Sequence, residues 1–308
     1  MKRVAAIDIG TNSVLLLIAE STPSGLVPLI ERATITRLGQ GVDRTRTLAP
    51  EAIDRTLTCL ADYASILREH APDHLSVVGT SAMRDAAGGA DFRERAASLL
   101  GVEPRTASGD EEAELTFLGA VSGLSIEGDV LVFDLGGGST EIITGPAFGA
   151  PRAKISLDIG SVRLTERHLR ADPPAPADLA RIRDDVRAEL RRVPFPPTGR
   201  VVGVAGTVTT LAAYARGVAP YDPARVHGAV LTREEVTAVT ARLASLTVEQ
   251  RRALPAIDPK RADVIVAGAV LVEELLTFCA APHLIVSDRG VRWGLVTRAA
   301  ASSDSKGF

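Results

Sequence analysis

Short apolar runs that break on glycine and hydroxyl residues alternate along this chain with longer stretches of helical period. Val4–Gly10 reads VAAIDIG, and a second apolar run, Val14–Ala19, follows after Thr11-Asn12-Ser13. Two such runs joined by a short polar turn predict a β-hairpin whose first strand ends near a carboxylate, Asp8. Leu26–Leu38 predicts a third strand, closed by the loop around Gly39-Gln40-Gly41. Pro50 suits the first position of a helix that runs to about His70, with Ile53, Leu57, Leu60, Ala64 and Leu67 at helical spacing. Leu75–Gly79 reads as a buried strand, Asp91 as the cap of a helix that stops before Gly101, and Val102–Thr106 as a further strand. This alternation predicts a sheet covered by helices.

The second half repeats the opening. Val130–Asp134 is an apolar run ending on a carboxylate, then come Gly136-Gly137-Gly138-Ser139-Thr140, Glu141 and another apolar run. Repetition of the motif predicts two similar domains, residues 1–127 and 128–308, with a cleft between them. Beyond it, Ile155–Ile159 reads as a strand and Ser161 as the cap of a helix to about His168. The helix Asp178–Arg192 carries Arg181, Arg183, Arg187, Arg191 and Arg192 interleaved with acids, the pattern of a solvated face. Val201–Val204 is a strand, and Thr232 with Glu235 forms a capping pattern. Asp258-Pro259 predicts a helix through Leu276, and Lys260 and Arg261 in its first turn oppose its dipole. His283–Val286 is a last strand, Arg289–Ala300 a last helix, and Ser302–Phe308 a frayed tail.

Composition narrows the function classes. Across 308 residues the net charge is −3, so no global basic field marks a nucleic-acid binder. Two cysteines, Cys59 and Cys279, make no disulfide framework and fit a reducing cytoplasm. Met1-Lys2-Arg3 looks like the start of a signal segment, but Asp8 interrupts the apolar run, and no stretch is long and apolar enough to span a bilayer. The five histidines are scattered, without zinc spacing.

The candidate chemistry lies in the turns. Three successive glycines let backbone N–H groups approach an anion with no Cβ in the way. The flanking Asp134 and Glu141 would repel a bare phosphate, so the combination makes sense with a divalent cation between them. Ser108-Gly109-Asp110-Glu111 fits a capping box, and on local sequence alone Asp110, Glu111 and Glu112 read as an acidic first turn complementing the helix dipole. Arg84, just past a strand end, reads either as an exposed charge beside Asp85 or as a guanidinium fork for phosphate oxygens.

Asp8-Ile9-Gly10-Thr11-Asn12-Ser13 and Asp134-Leu135-Gly136-Gly137-Gly138-Ser139-Thr140-Glu141 resemble the two phosphate motifs of the exopolyphosphatase / guanosine pentaphosphate phosphatase family. So do Gly79–Ala86, Ser108–Ala113, Gly203–Leu211 and Val286–Gly290, and the ordered set covers nearly the whole chain. The resemblance implies an α/β fold of two ribonuclease-H-like domains of the acetate kinase–sugar kinase–Hsp70–actin superfamily, with the last helix packing back on the first domain. It implies hydrolysis of the terminal phosphoanhydride of inorganic polyphosphate or of guanosine pentaphosphate (pppGpp). Glu112, directly before Ala113, matches the family's general base. Gly10, Thr11, Asn12, Ser13, Arg84, Gly136, Gly137, Gly138, Ser139 and Thr140 match its phosphate ligands, and Asp8, Asp134 and Glu141 are candidates for Mg²⁺. In this fold the Ala205-Gly206-Thr207 turn commonly lies beside the nucleoside of a bound nucleotide; the alternative here is that it only shapes the cleft floor. Leu15 stands where many relatives carry Arg, and the extra C-terminal helices of long members are absent, which argues against processive action on long chains. A kinase or ATPase, or a non-enzymatic nucleotide sensor, would use the same turns; the sensor would not need Glu112. No membrane or nucleic-acid partner is expected, and a homodimer is compatible with the sequence.

Overall fold

The computed structural model describes residues 2–23, 25–80, 83–84 and 86–304. Ser81, Ala82 and Asp85 of the quoted motifs and tail residues 305–308 lie outside the described residues. The chain forms two compact units, Met1–Ser122 with Val291–Phe308, and Gly123–Gly290. The break falls before residue 127 because the next segment packs into the second unit. Gly123 takes a left-handed φ of 75° against the Arg289 guanidinium, and Leu124 lies on Gly228.

The first unit begins with strands β1 (Lys2–Ile9), β2 (Ser13–Thr22) and β3 (Gly25–Ile35). A short helix α1 (Val42–Thr45) and the long α2 (Pro50–His70) follow, then β4 (His74–Gly79), α3 (Gly89–Leu100), β5 (Arg105–Thr106) and α4 (Gly109–Val121). Pro50 opens α2 as its fixed φ favours. The α3 helix starts on left-handed Gly88 instead of on Asp91, which sits one turn inside, and left-handed Gly101 closes it. The sheet order is β3-β2-β1-β4-β5. β1 is antiparallel to β2 and parallel to β4, so it is central and buried from Val4 to Ile9.

The second unit holds β6 (Asp129–Leu135), β7 (Thr140–Pro146), β8 (Ala153–Leu157), α5 (Ser161–His168) and α6 (Pro176–Leu190). It continues through β9 (Val201–Val204), α7 (Gly206–Arg216), α8 (Pro223–Val226), β10 (Val230–Thr232), α9 (Arg233–Ala244), α10 (Val248–Arg252), α11 (Ile265–Phe278) and β11 (His283–Val286). Its sheet order is β10-β11-β9-β6-β7-β8. Read from the other edge, β8-β7-β6-β9-β11 repeats the first sheet strand for strand, with the same directions. The second sheet adds one antiparallel edge strand, β10. Both follow the ribonuclease-H-like plan. Among the described residues no helix is long and apolar enough to cross a membrane.

Two local expectations change. Asp258 caps only a 3-10 turn, Pro259–Arg261, and the buried helix starts at Ile265. The α6 arginines are not simply a solvated face. Arg183 bonds Glu273 at 2.6 Å and Arg187 bonds Glu274 at 2.7 and 3.0 Å, and both acids are buried on α11. Charges on an otherwise apolar buried helix require such partners.

The final helix, α12 (Val291–Asp304), belongs to the first unit. Side chains alternate across β1, and its two faces meet different layers. Ala5, Ile7 and Ile9 pack with residues of α2 and α3. Val4 and Ala6 pack with Leu115 of α4 and with Trp293, Leu295 and Val296 of α12. The α4–α12 crossing is close because Gly294 lies on the Leu115 carbonyl, where a Cβ would overlap it. Gly294→Ala is therefore expected to cost about 1–3 kcal/mol by overpacking. Thermal melting should show a lowered transition; an unchanged melting temperature would contradict the close crossing.

Candidate active site

The parity of β1 decides where Asp8 points. It shares the face of Val4 and Ala6, toward α4 and α12, and is 8% exposed. Among the described residues its Oδ1 has no hydrogen-bond partner. Burial pushes the carboxyl up to about 7; the nearby Glu112 charge adds to this and the Arg292 guanidinium opposes it. Leu15 lies directly across from Asp8 on β2, so an apolar side chain covers the same face. The next residues form a tight turn in which the Gly10 amide donates to the Ser13 carbonyl at 2.9 Å. The segment after β3 clamps that turn: the amides of Thr36 and Arg37 donate to Asn12 O, and that of Gly39 to Thr11 O. Thr11 and Asn12 remain exposed at its tip.

Helix α4 separates its acids by role. The Ser108 hydroxyl caps the helix by accepting from the Glu111 amide at 3.1 Å. The Glu111 carboxylate does not complete a capping box. It accepts from Arg105 at 2.5 Å and from Arg298 of α12 at 3.0 Å, and the Arg105 guanidinium, with Arg298 behind it, holds its carboxyl below the usual range. By contrast, Thr232 and Glu235 form both halves of a box on α9. Glu112, one position on, accepts from Arg84 Nη1 at 3.1 Å, and the same nitrogen donates to Ala107 O. Both side chains are about a third exposed, at 34% and 30%. Arg84 is thus anchored on the helix that carries Glu112.

The sequence pattern alone did not single out Arg292. It is 8% exposed, bonds Glu31 of β3 at 2.8 Å and places a positive charge near Asp8. A lone cation among Val291, Trp293, Leu295 and Val296 was the available signal, since such a residue is buried only with a partner.

In the second unit, Gly136 repeats the turn closure, its amide donating to Ser139 O at 3.0 Å. Thr140 Oγ1 donates to Ile159 O at 2.6 Å and ties the turn's end to the segment after β8. Gly137 and Gly138 are exposed. Asp134 faces Glu141 across the β6–β7 pair, the position that Asp8 and Leu15 hold in the first unit. Glu141 Oε1 already accepts from the hydroxyls of Ser139 and Ser156, at 2.9 and 2.8 Å. Ser161 is the first residue of α5 and not its cap; Gly160 holds the cap position, where a Cβ would lie 2.5 Å from the Gly137 backbone. Ala205 holds a φ of 75° before α7, and the Arg261 guanidinium covers Gly206.

The three candidate metal ligands divide between the units, Asp8 in the first and Asp134 and Glu141 in the second. Among the described residues no three Asp, Glu, His or Cys side chains gather around one point. Magnesium nevertheless fits Asp8. It is a hard ion that keeps several waters and commonly takes only one or two carboxylates, and Asp8 offers a buried oxygen that no donor satisfies.

The model of the "Ppx/GppA phosphatase family" matches residues 17–303. The chain is 45% identical over 289 residues to Exopolyphosphatase 2 of Mycobacterium tuberculosis, covering 89% of this chain and 90% of that one. A shorter match, 35% over 166 residues, covers 54% of this chain and 33% of a guanosine-5'-triphosphate,3'-diphosphate pyrophosphatase from Vibrio atlanticus. The crystal structure of the Aquifex aeolicus Ppx/GppA family member superposes with a TM-score of 0.88 at 35% identity, covering 100% of this chain and 99% of that one.

The buried carboxylate makes a prediction about pH. With a folded-state value of about 7 against an ordinary 3.8, native Asp8 binds more protons than the unfolded chain between those values, so its contribution to stability falls as pH rises through that window. Every tenfold difference in proton affinity between the two states is worth about 1.4 kcal/mol. Melting in chelator should show Asp8→Asn close to wild type near pH 4 and progressively more stable up to pH 7. A gap that does not change with pH would contradict the burial argument.

Proposed function

The chain belongs to the Ppx/GppA phosphatase family, and we propose that it is an exopolyphosphatase that hydrolyses the terminal phosphoanhydride of inorganic polyphosphate. The observation that carries this reading is the placement of Glu112. It stands at the start of α4, partly exposed, held by Arg84 and close enough to the buried Asp8 for their charges to interact. The neighbouring Glu111 is committed to Arg105 and Arg298.

In this reading Glu112 accepts a proton from water as the water oxygen bonds to the terminal phosphorus. The bond to the bridging oxygen breaks, releasing phosphate and leaving a chain shorter by one unit. Arg84 keeps the Glu112 carboxylate oriented and offers its guanidinium to phosphoryl oxygens. The turn Gly10–Ser13 of the first unit and the turn Gly136–Thr140 of the second each carry N–H and hydroxyl groups of the kind that phosphoryl oxygens accept from. Asp8 would hold Mg²⁺ or another divalent cation, with Asp134 and Glu141 as further candidates; bound there, the ion would neutralise phosphoryl charge. A cytoplasmic location belongs to the same reading, since Cys59 and Cys279 are both buried free thiols.

A second substrate, guanosine pentaphosphate, is favoured by the Vibrio atlanticus relative, whose name specifies a guanosine 5'-triphosphate 3'-diphosphate. Its terminal phosphoanhydride would be cleaved by the same groups. Kinetics on short polyphosphate, long polyphosphate and guanosine pentaphosphate, compared side by side, separate the two readings.

The decisive variants are neighbours. Glu112→Gln is expected to lower turnover by about 10²–10⁴-fold, the usual contribution of a general base, with folding and substrate binding retained. Glu111→Gln should leave turnover nearly intact and lower the melting temperature slightly. The reverse pattern would move the base to Glu111, and two active variants would remove it from α4. EDTA should abolish phosphate release; full activity in metal-free buffer would remove the cation from the reading.

A further inference from the structure

We infer that Arg163 is a phosphate-binding residue of the second glycine-rich turn, a role that rests on the hydrolase reading above. Helix α5 starts against this turn. The amides of Ser161, Val162 and Arg163 donate to the carbonyls of Gly136 and Gly137 at 2.9–3.0 Å. The Arg163 side chain then folds back along the turn, and Nε donates to Gly138 O at 2.8 Å. Nη2 lies 3.5 Å from where a Gly138 Cβ would stand, so the guanidinium runs beside the exposed Gly137-Gly138 backbone.

Three features separate this arginine from a simple buttress. Among the described residues it makes no ion pair with any carboxylate, unlike Arg152, Arg167 and Arg181 of the same unit. The first turn of α5 holds no acidic residue, so no carboxylate there offsets a cation at the helix's positive end. Gly137 and Gly138 make no backbone donation that the structure records, whereas the flanking Gly136 amide is committed to Ser139. Exposed amides and a guanidinium fork along one edge are complementary to a tetrahedral anion and, in sequence, to the adjacent phosphates of a linear chain. In the first unit Leu15 follows the corresponding turn, and Arg84 bonds Glu112.

The test uses the full chain and tripolyphosphate. Binding is measured by calorimetry in the slow Glu112→Gln background, with Arg163 intact or changed to Gln or Lys, and steady-state kinetics are measured for the same changes in the wild-type background. Arg163→Gln is expected to weaken tripolyphosphate binding by about 10–100-fold, the value of a charge-assisted contact. KM should rise in proportion while turnover changes by less than about threefold. Arg163→Lys should recover part of the loss, because it keeps the charge without the fork. Wild-type affinity in Arg163→Gln overturns the inference, as does a lowered melting temperature with unchanged affinity, which is the signature of a buttress. If Glu112→Gln itself binds no tripolyphosphate and the wild type releases no phosphate, the hydrolase reading fails instead.

Discussion

A buried carboxylate oxygen that has no hydrogen-bond partner among the described residues lies on the central strand of the first unit. Asp8 could have ended the central strand as one more apolar residue, and the core would then be continuous from Val4 onward. Instead the strand carries an acid into a layer formed by Leu115, Trp293 and Val296. That choice explains much of what surrounds it. A guanidinium, Arg292, is buried nearby and needs its own counter-charge, Glu31, on a third strand. Glu112 is held by Arg84, and Glu111 is engaged elsewhere by Arg105 and Arg298. Local conflicts of this kind, sustained by the rest of a fold, concentrate where chemistry is done.

The two units show how one strand plan accommodates different electrostatics. Each opens with a hairpin whose turn is closed by a glycine amide donating to a serine carbonyl. In the first, the position across from the strand-end acid is Leu15; in the second it is Glu141. The leucine deepens the burial of its acid. The glutamate is solvated internally by two serine hydroxyls. The same hairpin plan therefore sets a leucine beside the first acid and a hydrogen-bonded glutamate beside the second.

Much of this was legible in the sequence, for physical reasons. Period-2 and period-3.6 patterns located most strands and helices, and Pro50 marked the start of α2, because these signals are local. The paired turns stood out because glycine and hydroxyl residues after an apolar run have few other uses. What escaped was non-local. Whether Asp91 or Gly88 begins α3 depends on a left-handed residue, not on the better capping side chain. The arginines of α6 looked solvated because their partners, Glu273 and Glu274, lie about ninety residues away. The apolar run around Arg292 signalled a buried cation, but its relation to Asp8 exists only when the two ends of the chain are brought into one unit. Glu111 and Glu112 could be told apart only by resemblance until Arg298 supplied a physical distinction.

The discontinuity of the first unit has a consequence for the order in which the protein is made. Residues 123–290 form a contiguous unit and can fold as soon as they have been synthesised. The first unit cannot be completed at its own natural point, after Ser122, because Trp293, Gly294 and Arg292 have not yet been translated. Until then β1 and α4 lack the layer that covers their shared face, and Asp8 lacks the Arg292 charge. The chain that leaves the ribosome therefore holds its general-base candidate for most of its synthesis without the guanidinium that accompanies it. The core of the first unit closes only once its last helix has been made.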